Sequence, residues 1–232
     1  MVLSSASVLG EIPPELIVRG SDALSWPAGM KVGPALILDR DGVLVEEKHH
    51  LSRPEDVVLS PGAVDVIRAV RGLGLPVCVV TNQSGIDRKL FTLVDFEAVS
   101  RRIDEELAQN GVSIDVTIAC PFHPEFTPDY NEAHAYWRKP GPGMLHLLAE
   151  RFGVDLGKSL FVGDNISDAE AGRAAGLSHI IHVLTGHGSR FEDQVREKMS
   201  QPDFSAIVAR DLTECSSFIE KFLRSGLKER TT

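Results

Sequence analysis

The sequence predicts an α/β protein: a mainly parallel sheet, doubly wound with helices on both faces. Three observations carry this. Short, apolar, β-branched runs alternate along the chain with segments of helical period. The runs are continuously apolar rather than alternating, as in strands buried on both faces. Their C-terminal ends carry acids, hydroxyls and a lysine, and ligands of open parallel sheets bind at that rim.

Residues 1–33 read as an N-terminal extension, in which "EIPPELIVRG" is a candidate to pack on the core. "PALILDRD" is a buried strand ending in acids. "PGAVDVIRAVRGLG" places Val64, Ile67 and Val70 at helical spacing, with Gly72 near the stop. "PVCVVTN" is the second strand. "FTLVDFEAVSRRIDEELAQNG" is a long helix with Thr92 as N-cap and Gly111 as its end. "VTIAC" is the third strand and opens into a loop, "CPFHPEFTPDYNEAHAYWRKP". "GPGMLHLLAERFG" is a helix with proline near its start. "KSLFVGDN" is a strand, "SDAEAGRAAG" a helix of small residues and "HIIHVLTG" a strand. A helix over 190–198, a short strand "SAIVA" and a helix over 212–223 complete a single domain, 34–225. Residues 226–232 read as a frayed tail.

Composition narrows the partners. The chain has 232 residues, 43% hydrophobic and 25% charged, with ample length for one buried core. The net charge of −9 disfavours nucleic acid, which asks for a basic footprint. Three scattered cysteines do not make a disulfide framework and point to a reduced, cytoplasmic setting. "MVLSSASVLGEIPPE" lacks a basic n-region and a long apolar run, so no signal peptide is expected. No stretch approaches the ~20 apolar residues of a membrane helix. A monomer is the simpler expectation for the assembly.

The strand ends define a candidate site. The first ends in Asp39-Arg40-Asp41-Gly42, the second in Thr81-Asn82-Gln83-Ser84, and the third leads to Arg138 and Lys139. The fourth ends in Gly163-Asp164-Asn165. An isolated Asp-x-Asp-Gly is as readily a helix cap or a solvated turn. An EF-hand is a poor fit, because its glycine stands sixth and its last ligand is a glutamate at twelve. Asp164, from a separate strand, turns the pair into a hard-oxygen set suited to Mg²⁺, which takes few carboxylates together with waters and phosphate. Clustered carboxylates repel and call for a counter-charge. A lone Lys139 would ordinarily be a solvated surface residue; following a strand of the same series, it suits a transferring phosphoryl group.

These stretches together resemble the haloacid dehalogenase (HAD) superfamily of phosphatases, over about Pro34 to Leu184: "LILDRDGVLV", "VVTNQSG", "RKPGPGM" and "FVGDNISDAEAGRAAG", in that order. The resemblance implies a Rossmann-like fold and a two-step phosphoryl transfer. Asp39 would be the nucleophile. Asp41 would protonate the leaving alkoxide and then activate water. Thr81, Asn82 and Lys139 would hold the phosphoryl oxygens. Asp164, Asp39 and the backbone carbonyl of Asp41 would bind Mg²⁺. Separately, Asn165 and Asp168 are candidates for outer support of the metal or of Lys139, and Asp168 and Glu170 equally suit a helix N-terminus. The gaps from Asp41 to Thr81 and from Thr81 to Lys139 leave no room for a cap domain, so specificity falls to loops at 46–59, 86–90 and 120–136.

Within the superfamily, "LDRDGVL", "VVTNQSGI", "CPFHP", "RKPGPGM" and "LTGHG" resemble the heptose 1,7-bisphosphate and histidinol-phosphate phosphatases. That implies a small phosphate ester as partner, a heptose bisphosphate or alternatively histidinol phosphate, with Gln83, Ser84 and Arg138 near the substrate. Arg88 and the segment from Lys48 to His50 are candidates for a second anionic group. Members of this branch often hold a structural zinc by C-x-H and C-x-C. Here Cys120 matches one ligand, while Phe122, Ala135 and Trp137 occupy the other three positions. Structural zinc wants four soft or imidazole ligands, so its absence is expected, with His123 and His134 the only local substitutes. Outside the enzymes, a phosphate-responsive module on the same fold competes; Asp41 speaks against it, because such a module needs no second acid.

Overall fold

The computed structural model describes residues 12–20, 33–202 and 204–228, with the side chains of 200, 201 and 228 left out. Eight strands form one sheet in the order β1-β4-β3-β2-β5-β6-β8-β7. They are β1 (Ile17–Gly20), β2 (Leu36–Leu38), β3 (Val77–Asn82), β4 (Val116–Cys120), β5 (Leu160–Gly163), β6 (His179–Val183), β7 (Ser200–Gln201) and β8 (Phe204–Ala209). From β4 to β8 neighbours are parallel; the outer pairs β1–β4 and β7–β8 are antiparallel.

Alternation along each strand feeds two cores. Ile37, Cys78, Val80, Ile118 and Phe161 face one side. There α4 (Gly143–Phe152), α5 (Ile166–Ala174) and α6 (Gly188–Lys198) supply Met144, Leu148, Ala169 and Val195. Leu36, Leu38, Val77, Val79 and Val162 face the other side. It is covered by α1 (Ala63–Gly72), α2 (Leu93–Gln109) and α7 (Leu212–Lys228), through Val66, Ile67, Ile103, Leu107, Ile219 and Leu223. Burial of both faces is why these strands carry no polar alternation. The long helix begins as the sequence predicts: Thr92 and Asp95 form a reciprocal capping box.

Four details depart from the sequence reading. Residues 17–20 of the extension join the sheet as an edge strand on β4, register Ile17 to Ala119. The loop over 120–140 contains a helix, α3 (Glu132–Trp137), begun by a capping box between Asn131 and His134. The last helix runs to Lys228 through Gly226, where the backbone passes Lys158 too closely for a side chain to sit freely, an added Cβ lying 3.3 Å from the Lys158 Cβ. The two-residue strand β7 pairs with β8.

No separate unit interrupts the described chain between β2 and β3 or between β3 and β4. The first gap holds a short bridge of Val45 to Asp41 and Leu59, one 3₁₀ turn and α1; the second holds α2. The fold is capless, and the C-terminal ends of β2, β3 and β5, with the segment 138–140 after α3, open directly to one cavity.

Candidate active site

The cavity has a volume of about 470 Å³. Asp39, Asp41, Thr81, Asn82, Gln83, Ser84, Arg138, Lys139, Asp164, Asn165 and His50 all line it, so the strand ends named from the sequence converge. Asp168 lies beneath the floor and Arg88 lies outside the wall. His49, from the segment proposed for a second anion, lines it too, and so do Glu47 and His187, which were not singled out from the sequence.

Asp39 and Asp164 follow adjacent parallel strands, β2 and β5, which brings their carboxylates together. Oxygens of Asp39, Asp164 and Asp168 all lie within 4.8 Å of one another. Lys139 is 3% exposed and its Nζ lies 3.0 Å from Asp39 Oδ1 and 2.7 Å from Asp168 Oδ1. The same Nζ donates to the carbonyl of Val80 at 3.0 Å. A lysine so buried keeps its charge only with partners. Desolvation opposes the charge, and Asp168 and then Asp39 outweigh it, so Lys139 stays a cation well above its usual range.

Burial acts in the opposite sense on the acids. It pushes Asp39 up to about 6, with Lys139 pulling back and Asp168 and Asp41 adding repulsion. Burial and repulsion from Asp39 and Asp168 push Asp164 up to about 8. One ammonium does not balance this group of acids, and a divalent cation fits the deficit.

Asp164 is gripped tightly. The backbone N–H of His187 donates to its Oδ2 at 2.7 Å. A Cβ at Gly42 would sit 2.3 Å from that oxygen, and one at Gly186 2.1 Å. Both glycines also have positive φ, +79° and +54°, a region side chains disfavour. Thr185 ties the two loops by donating from Oγ1 to the carbonyl of Gly42 at 2.5 Å. "LTGHG" was the signal for this wall, and its glycines mark the close approach.

Several predicted contacts have partners inside the protein. Asn82 pairs with the backbone of Lys139: its Nδ2 donates to the Lys139 carbonyl at 3.0 Å and its Oδ1 accepts from the Lys139 N–H at 3.1 Å. Gln83 is 4% exposed, and its amide donates to Asp41 Oδ2 at 2.8 Å and Thr81 Oγ1 at 2.9 Å. Asn165 caps α5 through Ser167 N, and Asp168 Oδ2 accepts from Asn165 N at 2.9 Å. Arg138 Nη1 donates to the carbonyl of Phe122 at 2.9 Å. Arg88 stacks over Phe126, 5.7 Å from the ring centre, and its Nη1 is 3.4 Å from His50 Nε2. Arg40, passed over in the sequence, is buried with its guanidinium against Asp41.

In the loop over 120–140, aromatic packing occupies the zinc positions. Phe122 is 2% and Trp137 1% exposed. His134 meets Phe122 edge-on at 4.7 Å, and its Nδ1 accepts from Asn131 N. His123 Nδ1 accepts from Glu125 N at 3.1 Å. Burial pushes the Cys120 thiol up to about 12.

Known proteins match this chain. A profile of HAD-hydrolase-like proteins matches residues 136–215. A D-glycero-beta-D-manno-heptose-1,7-bisphosphate 7-phosphatase of Mesorhizobium japonicum is 42% identical over 150 residues, covering 62% of this chain and 67% of that protein. A D-glycero-D-manno-heptose-1,7-bisphosphate 7-phosphatase of Thermosynechococcus vestitus is 36% identical over 80% of this chain and 95% of its own. The crystal structure of the D,D-heptose 1,7-bisphosphate phosphatase of B. bronchiseptica, complexed with magnesium and phosphate, superposes with a TM-score of 0.70. It is 30% identical and covers 81% of this chain and 98% of that one. With one relative matched over nearly its whole length, and acids and a lysine gathered on the rim described above, the chain is a phosphoric monoester hydrolase of the HAD type and belongs to the family of the heptose-1,7-bisphosphate 7-phosphatases.

Proposed function

We propose that the chain removes the 7-phosphate of D-glycero-D-manno-heptose 1,7-bisphosphate, with Asp39 as nucleophile and magnesium as cofactor. The observation that carries the reading is the contact of Lys139 Nζ with Asp39 Oδ1 at 3.0 Å, beside Asp164, on the floor of an open cavity. The relatives' names supply the identity of the ester.

Asp39, Asp164 and the backbone carbonyl of Asp41 would hold the magnesium. The excess of acids over cations and the cradle between Gly42 and Gly186 suit a small hard ion. When bound, it supplies positive charge that offsets the phosphoryl oxygens. Asp39 attacks phosphorus as the ester P–O bond breaks, and Asp41 gives its proton to the leaving alkoxide. Asp41 then takes a proton from water, whose oxygen attacks the aspartyl-phosphate, releasing phosphate and restoring Asp39. Lys139 neutralises Asp39 before attack and the phosphoryl group after it, and the Thr81 hydroxyl donates to that group. Such a transfer depends on positioning and electrostatics, and the buried network around Lys139 provides both. Asn82 acts on the phosphate through the Lys139 backbone it holds.

The second phosphate of the substrate would lie toward His50, with Arg88 behind it. Structural zinc is absent in this reading: Cys120 is a buried neutral thiol, and the Nδ1 atoms of His123 and His134 are engaged by backbone donors. No helix among the described residues is long and apolar enough to cross a membrane. A cytoplasmic setting is in keeping with three buried free thiols.

Phosphate release from the heptose bisphosphate, histidinol phosphate and other sugar phosphates, with and without Mg²⁺, tests the reading. The wild type is expected to prefer the heptose bisphosphate and Asp39→Asn to abolish turnover. Normal turnover by Asp39→Asn would overturn the nucleophile assignment.

A further inference from the structure

Arg40 stands between the two acids assigned to the chemistry, yet no step above uses it. It is 2% exposed. A guanidinium does not shed its proton, so its burial demands partners. Its fork folds onto the residue that follows it: Nε donates to Asp41 Oδ2 at 3.1 Å and Nη2 to Asp41 Oδ1 at 3.0 Å. The same Nη2 donates to Gln83 Oε1 at 3.0 Å. Gln83 closes the ring by donating from Nε2 to Asp41 Oδ2 at 2.8 Å. Beneath, the guanidinium carbon lies 5.4 Å from the centre of the Phe96 ring.

We propose that Arg40 and Gln83 are positioning residues that aim the Asp41 carboxyl at the leaving oxygen. This rests on the phosphatase reading above. Asp41 lines an open cavity and, unlike Asp164, has no glycine cradle to hold it. A carboxyl free to turn samples several rotamers, whereas proton delivery needs one aligned with the breaking bond. Three donor contacts from two buried side chains converge on its two oxygens, and a bidentate fork sets both distance and plane. The proton path is local: as the P–O bond breaks, Asp41 hands its proton to the alkoxide, and turned away from the fork it would not reach. Gln83 also donates to Thr81 Oγ1, which leaves that hydroxyl's own hydrogen free for an anion.

A purely structural role, in which Arg40 only neutralises Asp41 and fills space, makes a different prediction about leaving groups. An alkoxide needs its proton; p-nitrophenolate or acetate does not. The test compares kcat/KM of the full-length magnesium-loaded wild type, Arg40→Lys and Gln83→Leu on the heptose bisphosphate and on p-nitrophenyl or acetyl phosphate. Arg40→Lys keeps the charge in place and removes the fork; Gln83→Leu serves if that variant does not fold. Arg40→Lys is expected to lose about 100-fold on the sugar ester and less than about threefold on the activated probes; Gln83→Leu, which also strips a donor from Thr81, is expected to lose on both and about tenfold more on the sugar ester. Equal losses on both classes, or none on the sugar ester, would overturn the inference. A wild type that cleaves none of them would overturn the phosphatase reading itself, and this inference with it.

Discussion

Lys139 and Asp168 form an ion pair with both side chains only 2% exposed, Nζ to Oδ1 at 2.7 Å. Asp168 spends its other oxygen on the N-cap of α5. One residue thus links the charge on Lys139 to the helix that follows Asp164.

Asp168→Asn preserves the oxygen that accepts from Asn165 and removes half of the counter-charge to Lys139. We expect a loss of about 3 kcal/mol, the scale for breaking a buried pair, and a lower kcat as Lys139 loses one of its two anchors. Urea unfolding and steady-state kinetics check this. Wild-type stability and kcat together would mean that Asp168 is not the residue that holds Lys139.

Gly42→Ala and Gly186→Ala put a methyl group against Asp164 Oδ2 at 2.3 and 2.1 Å, on backbones of positive φ. Each should weaken magnesium binding at least tenfold and lower stability by about 1–3 kcal/mol. For the wild type, magnesium at a hundredfold excess over its Kd should add about 2.7 kcal/mol, read as a shift in Tm. Asp164→Asn should abolish that shift.

Trp137→Ala should cost about 3–5 kcal/mol, since a fully buried aromatic leaves a large cavity. Chelators that strip zinc should leave the wild-type Tm unchanged, because Phe122, His134 and Trp137 order the loop by packing. About one zinc per chain in protein purified without a His-tag would contradict the second expectation.

The three thiols should resist alkylation at pH 8. Burial pushes Cys120 and Cys215 up to about 12 and Cys78 higher still. The reactive species is the thiolate, so raising the pKa removes it at this pH. A thiol-exchange assay should count none in the native protein and all of them in denaturant.

Arg88→Ala should raise KM for the bisphosphate more than for the monophosphate, because Arg88 Nη1 lies 3.4 Å from His50 Nε2, and His50 lines the cavity. KM values left unchanged by Arg88→Ala for both esters, or raised by the same factor for both, would remove the second-anion role.

The sequence made most of the sheet and the acids at its rim legible for a local reason. A strand buried on both faces is continuously apolar, and the residue that ends it is polar only because it emerges at an edge. β1 was not legible, because four residues paired with a distant strand carry little periodicity of their own. α3 was hidden by prolines before it; the cap that starts it is a reciprocal bond between Asn131 and His134.

The site divides in the same way. By itself, the sequence determined which groups stand at the strand ends, Asp39, Asp41, Thr81 and Asp164, and that Lys139 follows the same series, here after α3. Only the tertiary structure decided what each side chain is free to do. Asn82 and Gln83 read as substrate contacts, yet their amides are committed to Lys139 and to Asp41. Arg40 was not singled out at all and is the buried partner of Asp41. A buried polar atom must find a partner, that partner comes from another strand, and nothing in the local sequence names it.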